Sequence, residues 1–280
     1  MNLFDPLRDK VVRSRIAKSF AALAMILCSG NLPAAYGQSA GPVDGRPNFS
    51  GIWMLEPAGP KDTTSFPADL PEGWRTFGSV NRPAPPLRDD AYRIVKAQRL
   101  KENSATDIHG GLDDETAHCR SGGFPDFISF DVPLDIMQRP DELLMVTERE
   151  RQLPRHIWIV PPHPLIEDYA PARTGILYRN GHSMAHWEGE TLVIRSDSFE
   201  TGPWMFSIER IPHSDAMTTV EHMSISADGS TLTTVLEVTD PKVLTRPWVL
   251  NYVWKRAKPG TEALESTCEI DLDYLGLESH

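Results

Sequence analysis

GHSMAHWEGETLVIRS, residues 181 to 196, has the pattern of a β-hairpin that carries two histidines. Residues 183–187 and 191–195 read as two strands on either side of a Glu-Gly-Glu turn. Because neighbouring side chains of a strand point to opposite faces, His182 and His186 are predicted on one face and Trp187 on the other. Two imidazoles on one strand face make this hairpin the first candidate for a functional site.

The same alternation recurs along the chain after Cys119. The Asp228-Gly229 pair is a strong hairpin signal, and little helix separates the segments. Further strands are predicted at 134–138 with 143–147, at 156–160, at 218–226 with 231–238, at 248–255 and at 267–270. Many short strands joined by hairpins predict an antiparallel meander that closes into a barrel or folds into a sandwich.

The N-terminal part of the predicted domain supplies an opening strand and one helix. Residues 48–55 read as a strand, and Gly51-x-Trp53 also occurs in the first strand of lipocalin-like barrels. Residues 88–101 have helical spacing, with Asp89 and Asp90 placed to complement the helix dipole. We therefore expect an all-β fold, a lipocalin-like barrel or sandwich with one N-terminal helix.

Residues 1–37 read as an export signal. Five basic side chains precede the apolar segment 20–27, and small residues follow at 34–37. The apolar segment is much shorter than the ~20 residues needed to cross a bilayer, so no transmembrane anchor is expected. Residues 38–47 are predicted to be a flexible leader and 48–280 a single β-rich domain, located in the periplasm or secreted.

The charge of the chain argues against nucleic acid as a partner. Removal of residues 1–37 deletes five basic and two acidic side chains, which takes the formal net charge from -11 to -14. A polyanion would be repelled by such a surface. A small-molecule ligand or substrate fits an acidic exported protein better.

Two cysteines, Cys119 and Cys268, remain after the signal is removed. In an oxidising compartment we expect them to form a disulfide, which would stabilise the fold by roughly 3 to 5 kcal/mol on the chain-entropy account. The alternative is two separate buried thiols.

Several motifs resemble a large group of exported bacterial β-rich proteins without an established activity. They are SGIW at 50–53, GHS-x3-WEGETLV at 181–193 and TRPW at 245–248. The resemblance covers most of the mature chain and implies one secreted β-rich domain. It supplies no catalytic assignment.

Three residues are the candidate catalytic or metal-binding groups: His182, His213 and Glu221. Imidazole transfers protons near neutral pH and binds metals, so the three residues can form a two-histidine, one-carboxylate site for a divalent ion, or an acid-base pair without metal. The structural alternatives are hydrogen-bonded strand histidines and an ion pair between Glu221 and Arg246. Ser214 follows His213 directly, which favours a turn-capping role over that of a nucleophile.

Two function classes follow from these residues. The first is a hydrolase or lyase that holds a small organic substrate, aromatic ones included, against His186, Trp187, Arg246 and Trp248. The second is a non-catalytic carrier of a small apolar ligand. A structural protein or inhibitor that acts through its surface is a third interpretation, which predicts no enclosed pocket.

Overall fold

The structure, a computed structural model, describes residues 41–56, 83–102, 122–148, 153–159, 176–202, 204–206 and 211–264. These ranges contain one α-helix, α1 at Asp89–Glu102, and a short 3-10 helix at Asp126–Ile128. Their strands are β1 Gly51–Leu55, β2 Leu134–Gln138, β3 Glu142–Thr147, β4 Arg155–Ile159, β5 His182–Glu188, β6 Thr191–Asp197, β7 Trp204–Phe206, β8 Ile211–Pro212, β9 Thr218–Ile225, β10 Thr231–Thr239 and β11 Trp248–Arg256.

Nine strands close into a barrel in the order β1-β11-β10-β9-β6-β5-β4-β3-β2. The two short strands β7 and β8 pair with each other outside the barrel, in the connection between β6 and β9. The predicted all-β barrel with one helix is thereby confirmed, and of the two predicted arrangements the fold is the barrel and not the sandwich.

One strand pair departs from the predicted antiparallel meander. β4 and β5 run parallel, with Ile157 opposite Ser183, whereas the other neighbouring strands of the barrel are antiparallel. A tight hairpin joins only antiparallel strands, and parallel neighbours need a connection of a dozen residues or more. Residues 160–181 provide a connection of that length.

The hairpins form where the turn residues predicted them. Gly189 and Gly229 both have positive φ, 62° and 69°, in the turns between β5 and β6 and between β9 and β10. In the second turn the Asp228 carboxylate accepts hydrogen bonds from the Ser226 hydroxyl and from the Ser230 amide and hydroxyl. These bonds lower the pKa of Asp228 to about 2, so the charged form of this side chain holds the turn.

The barrel interior is a packed core in the part of the chain that the structure describes. Alternate residues of each strand point inward, and they are predominantly large and apolar. Trp53, Trp254, Tyr252, Ile136 and Leu143 are each at most 2% exposed. Around these side chains there is no room for an enclosed ligand.

The end of the barrel that carries the Gly189 and Gly229 turns is closed by aromatic rings, and we call it the turn end. Trp187 stacks on Phe49 with ring centroids 5.6 Å apart. The guanidinium of Arg256 lies 4.2 Å from the Trp53 ring centroid and donates a hydrogen bond to the Gly229 carbonyl.

At the opposite end, which we call the cap end, Phe124 of the segment 122–130 packs on Arg155 and Phe206 of β7 packs on Trp248, while α1 contacts β8. α1 begins with the predicted acidic residues and buries Ala91 and Val95, whereas Ile94 is exposed. In the described ranges no helix has the length and hydropathy to span a bilayer.

Candidate functional site

Glu221 lies inside the barrel in an ion pair. Its Oε2 accepts a hydrogen bond from Arg155 Nη1 at 3.0 Å, its Oε1 accepts one from Nη2 at 2.5 Å, and both side chains are fully buried. The predicted ion pair therefore exists, but the predicted partner was wrong. Arg246 is exposed, and Arg155 on β4 reaches Glu221 because both residues point into the barrel.

Two hydroxyls and one aromatic ring complete the surroundings of Arg155. Nη2 also donates to Ser183 Oγ at 3.2 Å and to Ser196 Oγ at 3.1 Å, and the two hydroxyls lie 2.8 Å apart. Phe124 covers the guanidinium with its ring centroid 3.6 Å from Cζ. We call Arg155, Glu221, Ser183 and Ser196 the interior polar cluster; its charges cancel, and Phe124 screens it from the cap end.

His182 lies on the other side of the barrel wall from Glu221. Ser183 points inward, so its neighbour His182 points outward. Glu221 is opposite Ile194, which in turn is opposite Ala185, and these three residues share the inner face. The wall of the barrel therefore separates the imidazole from the carboxylate.

The imidazole of His182 is half-buried at the cap end. Its ring centroid lies 6.0 Å from that of Tyr178, and within the described ranges its buried Nδ1 has no hydrogen-bond partner. Burial lowers the pKa of His182, against a smaller opposing effect of the Asp197 carboxylate. The ring is consequently neutral at neutral pH.

His213 follows β8 and packs edge-on against Phe199, with ring centroids 6.5 Å apart. Burial lowers the pKa of His213; the Ser214 carbonyl and the Asp240 charge partly oppose this shift, and the Arg179 charge adds to it. Ser214 donates from both its hydroxyl and its amide to Asp240, each at 2.7 Å. The Ser214 hydroxyl also accepts a hydrogen bond from the Ala216 amide at 3.1 Å, which is the predicted turn-capping role.

The prediction that His182, His213 and Glu221 share one enclosure was wrong, since Glu221 is sealed inside the barrel. These three residues therefore do not form the predicted metal site. Among the described residues, no group of three His, Cys, Asp or Glu side chains is arranged to bind a metal ion. The histidines do share a neighbourhood. His182 contacts Tyr178, and Phe199, the ring beside His213, packs so closely on Gly181 that a Cβ there would lie 2.5 Å from it.

Two of the predicted substrate-binding residues lie at the turn end, remote from the first half of β5. His186 Nε2 lies 3.0 Å from Glu188 Oε1 on the surface. Trp187 stacks on Phe49 and closes the turn end. Neither side chain joins His182.

The other two, Trp248 and Arg246, belong to the TRPW motif. Trp248 is buried, packs edge-on against Phe206 at 5.4 Å and donates its indole N–H to the Pro83 carbonyl at 2.9 Å. Trp248 is therefore part of the packed core at the cap end. Arg246 is exposed in the turn that precedes β11.

A surface beside His182 combines exposed apolar side chains with buried polar atoms. Four large apolar residues in the segments that precede β4 and β5 are between 36% and 55% exposed. The Asn180 amide nitrogen donates to the Leu153 carbonyl at 2.8 Å and so joins the segment before β4 to the segment before β5. We call this surface the rim patch; its members are Leu153, Ile176, Leu177, Tyr178, Asn180 and His182.

Sequence reasoning missed the interior polar cluster and the rim patch. Arg155 stands two residues before Ile157 and four before Ile159, so strand alternation alone would have placed it with them on the buried face. Its partner is three strands away in the barrel, which alternation does not reveal. The rim patch offered no signal because it joins residues from two distant segments.

Some predictions lie outside the described residues and stay predictions. They concern the export signal, the disulfide between Cys119 and Cys268, and the strand at 267–270.

The sequence matches no family model and no curated protein. Among solved structures, the chain is similar to zebrafish ileal bile acid-binding protein complexed with cholic acid. The similarity covers 46% of this chain and 74% of that protein, at 12% identity and a TM-score of 0.25. A likeness of this extent bears on neither the ligand nor the activity of this chain.

Proposed function

We propose that this protein is a non-catalytic carrier that binds a small, largely apolar organic molecule at the rim patch. The observation that carries the proposal is the composition of that surface. Exposed apolar side chains lie in the same two segments as Asn180 and His182, each of which has a buried polar atom without a partner among the described residues. The Leu153 carbonyl contacts Asn180, and the Tyr178 ring contacts His182. Ligand sites typically combine apolar walls with a few polar atoms that orient the ligand.

The packed interior supports a site at the rim rather than inside the barrel. The inward-facing aromatic side chains and the interior polar cluster fill the space that an enclosed ligand would need. At the rim, by contrast, Ile176, Leu177 and Tyr178 are consecutive and exposed. Covering such apolar surface is favourable by about 25 cal/mol per Å², which is the driving force that we assign to ligand binding.

The hydrolase or lyase interpretation has less support because its carboxylate, Glu221, is in an ion pair inside the barrel. Glu221 is fully buried against Arg155. Acid-base chemistry by His182 and His213 alone stays a prediction, favoured by the lowered pKa of both imidazoles. The export signal predicted in residues 1–37 supports a periplasmic or secreted place of action for either function.

The carrier proposal can be tested with N-phenyl-1-naphthylamine, an uncharged fluorescent probe of apolar sites. We expect saturable binding to the wild-type protein and at least about tenfold weaker binding to Leu177→Asp, because the charge would have to be desolvated under the probe. Val249→Asp is the matched control, since Val249 has similar exposure, 42% against 45%, on the outer face of β11.

Equal affinity of wild type and Leu177→Asp, or no saturable binding by the wild type, would contradict the proposal. Extraction of a ligand that co-purifies with the protein separates the two function classes. A carrier returns the ligand chemically unchanged after incubation, whereas an enzyme converts it.

A further inference from the structure

Asn180, a member of the rim patch, carries a buried hydrogen-bond acceptor of fixed orientation. Its Nδ2 donates to the Leu153 carbonyl at 2.8 Å, which turns Oδ1 away from that partner. The side chain is buried, with 7% of the residue exposed, and Oδ1 has no partner among the described residues. A buried carbonyl without a donor is costly, and an amide oxygen only accepts. The missing partner is therefore a donor.

His182 lies two residues further along the chain and adds a second polar atom. Its Nδ1 is buried and lacks a partner in the described ranges, and its ring contacts the Tyr178 ring. Burial lowers the pKa of His182, so the ring carries no charge at neutral pH. A neutral imidazole donates from one nitrogen and accepts at the other, which suits a hydroxyl group better than a charged one.

The charges around the rim patch disfavour an anion. Asp197 is opposite His182 in the β5–β6 register. The nearby cation Arg179 is paired with Glu200, Nε to Oε2 at 3.1 Å. A carboxylate ligand would meet the field of Asp197, and the whole chain carries a formal charge of -11.

Resting on the proposed carrier function, we infer that the ligand of the rim patch is an uncharged alcohol or phenol, whose hydroxyl donates to Asn180 Oδ1, and that carboxylates are excluded. The apolar body of the ligand covers Leu153, Ile176 and Leu177. Tyr178 and His182 present ring surfaces to it.

Three naphthalenes of one shape test this assignment by isothermal titration at about pH 7, where 2-naphthol is neutral and 2-naphthoate is charged. We expect 2-naphthol to bind about tenfold more tightly than 2-methoxynaphthalene, which lacks the donor. We expect 2-naphthoate to bind more weakly than both. In Asn180→Leu the affinity for 2-naphthol should fall to that for 2-methoxynaphthalene, whereas Asn251→Leu, on the exposed face of β11, should retain the wild-type preference.

Equal affinities of the wild type for 2-naphthol and 2-methoxynaphthalene would overturn the inference that the ligand donates a hydrogen bond to Asn180. The proposal that the protein carries apolar molecules would still stand. Tightest binding of 2-naphthoate would overturn the exclusion of anions. Absence of saturable binding for all three compounds would count against both this inference and the carrier function. The comparison of ligands on the wild-type protein stands even if Asn180→Leu does not fold.

Discussion

Replacement of Glu221 by glutamine should destabilise the fold severely. The substitution keeps the size of the side chain but removes its charge, and it leaves the Arg155 guanidinium without a counter-ion in a place where both side chains are fully buried. The hydroxyls of Ser183 and Ser196 and the ring of Phe124 remain as neighbours. None of them carries a compensating charge.

The size of the effect follows from the burial. Breaking a buried ion pair by removing one partner costs about 3 to 5 kcal/mol, because the remaining charge stays desolvated. At a urea m-value of about 2 to 3 kcal/mol/M, the midpoint of unfolding should move down by roughly 1 to 2.5 M. Replacing both partners, as in Arg155→Met with Glu221→Leu, should recover most of this loss because no unpaired charge is left.

Urea unfolding of the mature protein, followed by tryptophan fluorescence and by circular dichroism, measures the change. Glu188→Gln is the matched control: it removes the carboxylate of a solvent-exposed pair with His186 and should leave the midpoint unchanged. A loss of less than about 1 kcal/mol for Glu221→Gln would mean that water solvates the pair. In that case the interior of the barrel is open, and Glu221 returns as a functional candidate.

Three further predictions concern the cap end and the cysteines. Gly181→Ala should cost about 1 to 3 kcal/mol in urea unfolding, because φ is 67° and the new Cβ would lie 2.5 Å from Phe199; unchanged stability would refute this close packing. Folding lowers the pKa of His213, so the unfolded chain takes up a proton at higher pH than the folded protein does. The free energy of unfolding should therefore fall as the pH drops below the unfolded pKa of 6.5. His213→Gln should therefore flatten the fall in unfolding free energy between about pH 7 and pH 5, and an unaltered slope would refute the assignment. Thiol titration of the unfolded, unreduced mature protein should find Cys119 and Cys268 blocked, whereas two reactive thiols would exclude the disulfide.

The local pattern of the sequence was sufficient to predict the barrel strands on either side of two turns, and the turns themselves. Gly189 and Gly229 take the positive φ that their hairpins need, and the strands on either side have the bounds that alternation predicted within one or two residues. Turn chemistry acts between neighbours in the chain, so it can be read from short segments. The direction of β5 relative to β4 depends on a long connection, which such segments do not determine.

The site was less predictable because its contacts cross the barrel. Strand alternation puts Glu221 on one face with Thr219 and Met223, and all three are buried. Its partner was predicted in the TRPW motif, but Arg155 lies on β4, and the register of three strand pairs decides that they meet. Patterns along one strand give the face of a residue and not its partner across the sheet.

A ring with an odd number of members cannot alternate up and down all the way round. With nine strands, at least one pair must run the same way, and here that seam is β4–β5. Strands that run the same way also start at the same end, so Leu153 before β4 and Asn180 before β5 become neighbours. The odd number of strands thus brings together the two segments that form the rim patch. In a barrel with an even number of strands, all of them antiparallel to their neighbours, these two segments would lie at opposite ends.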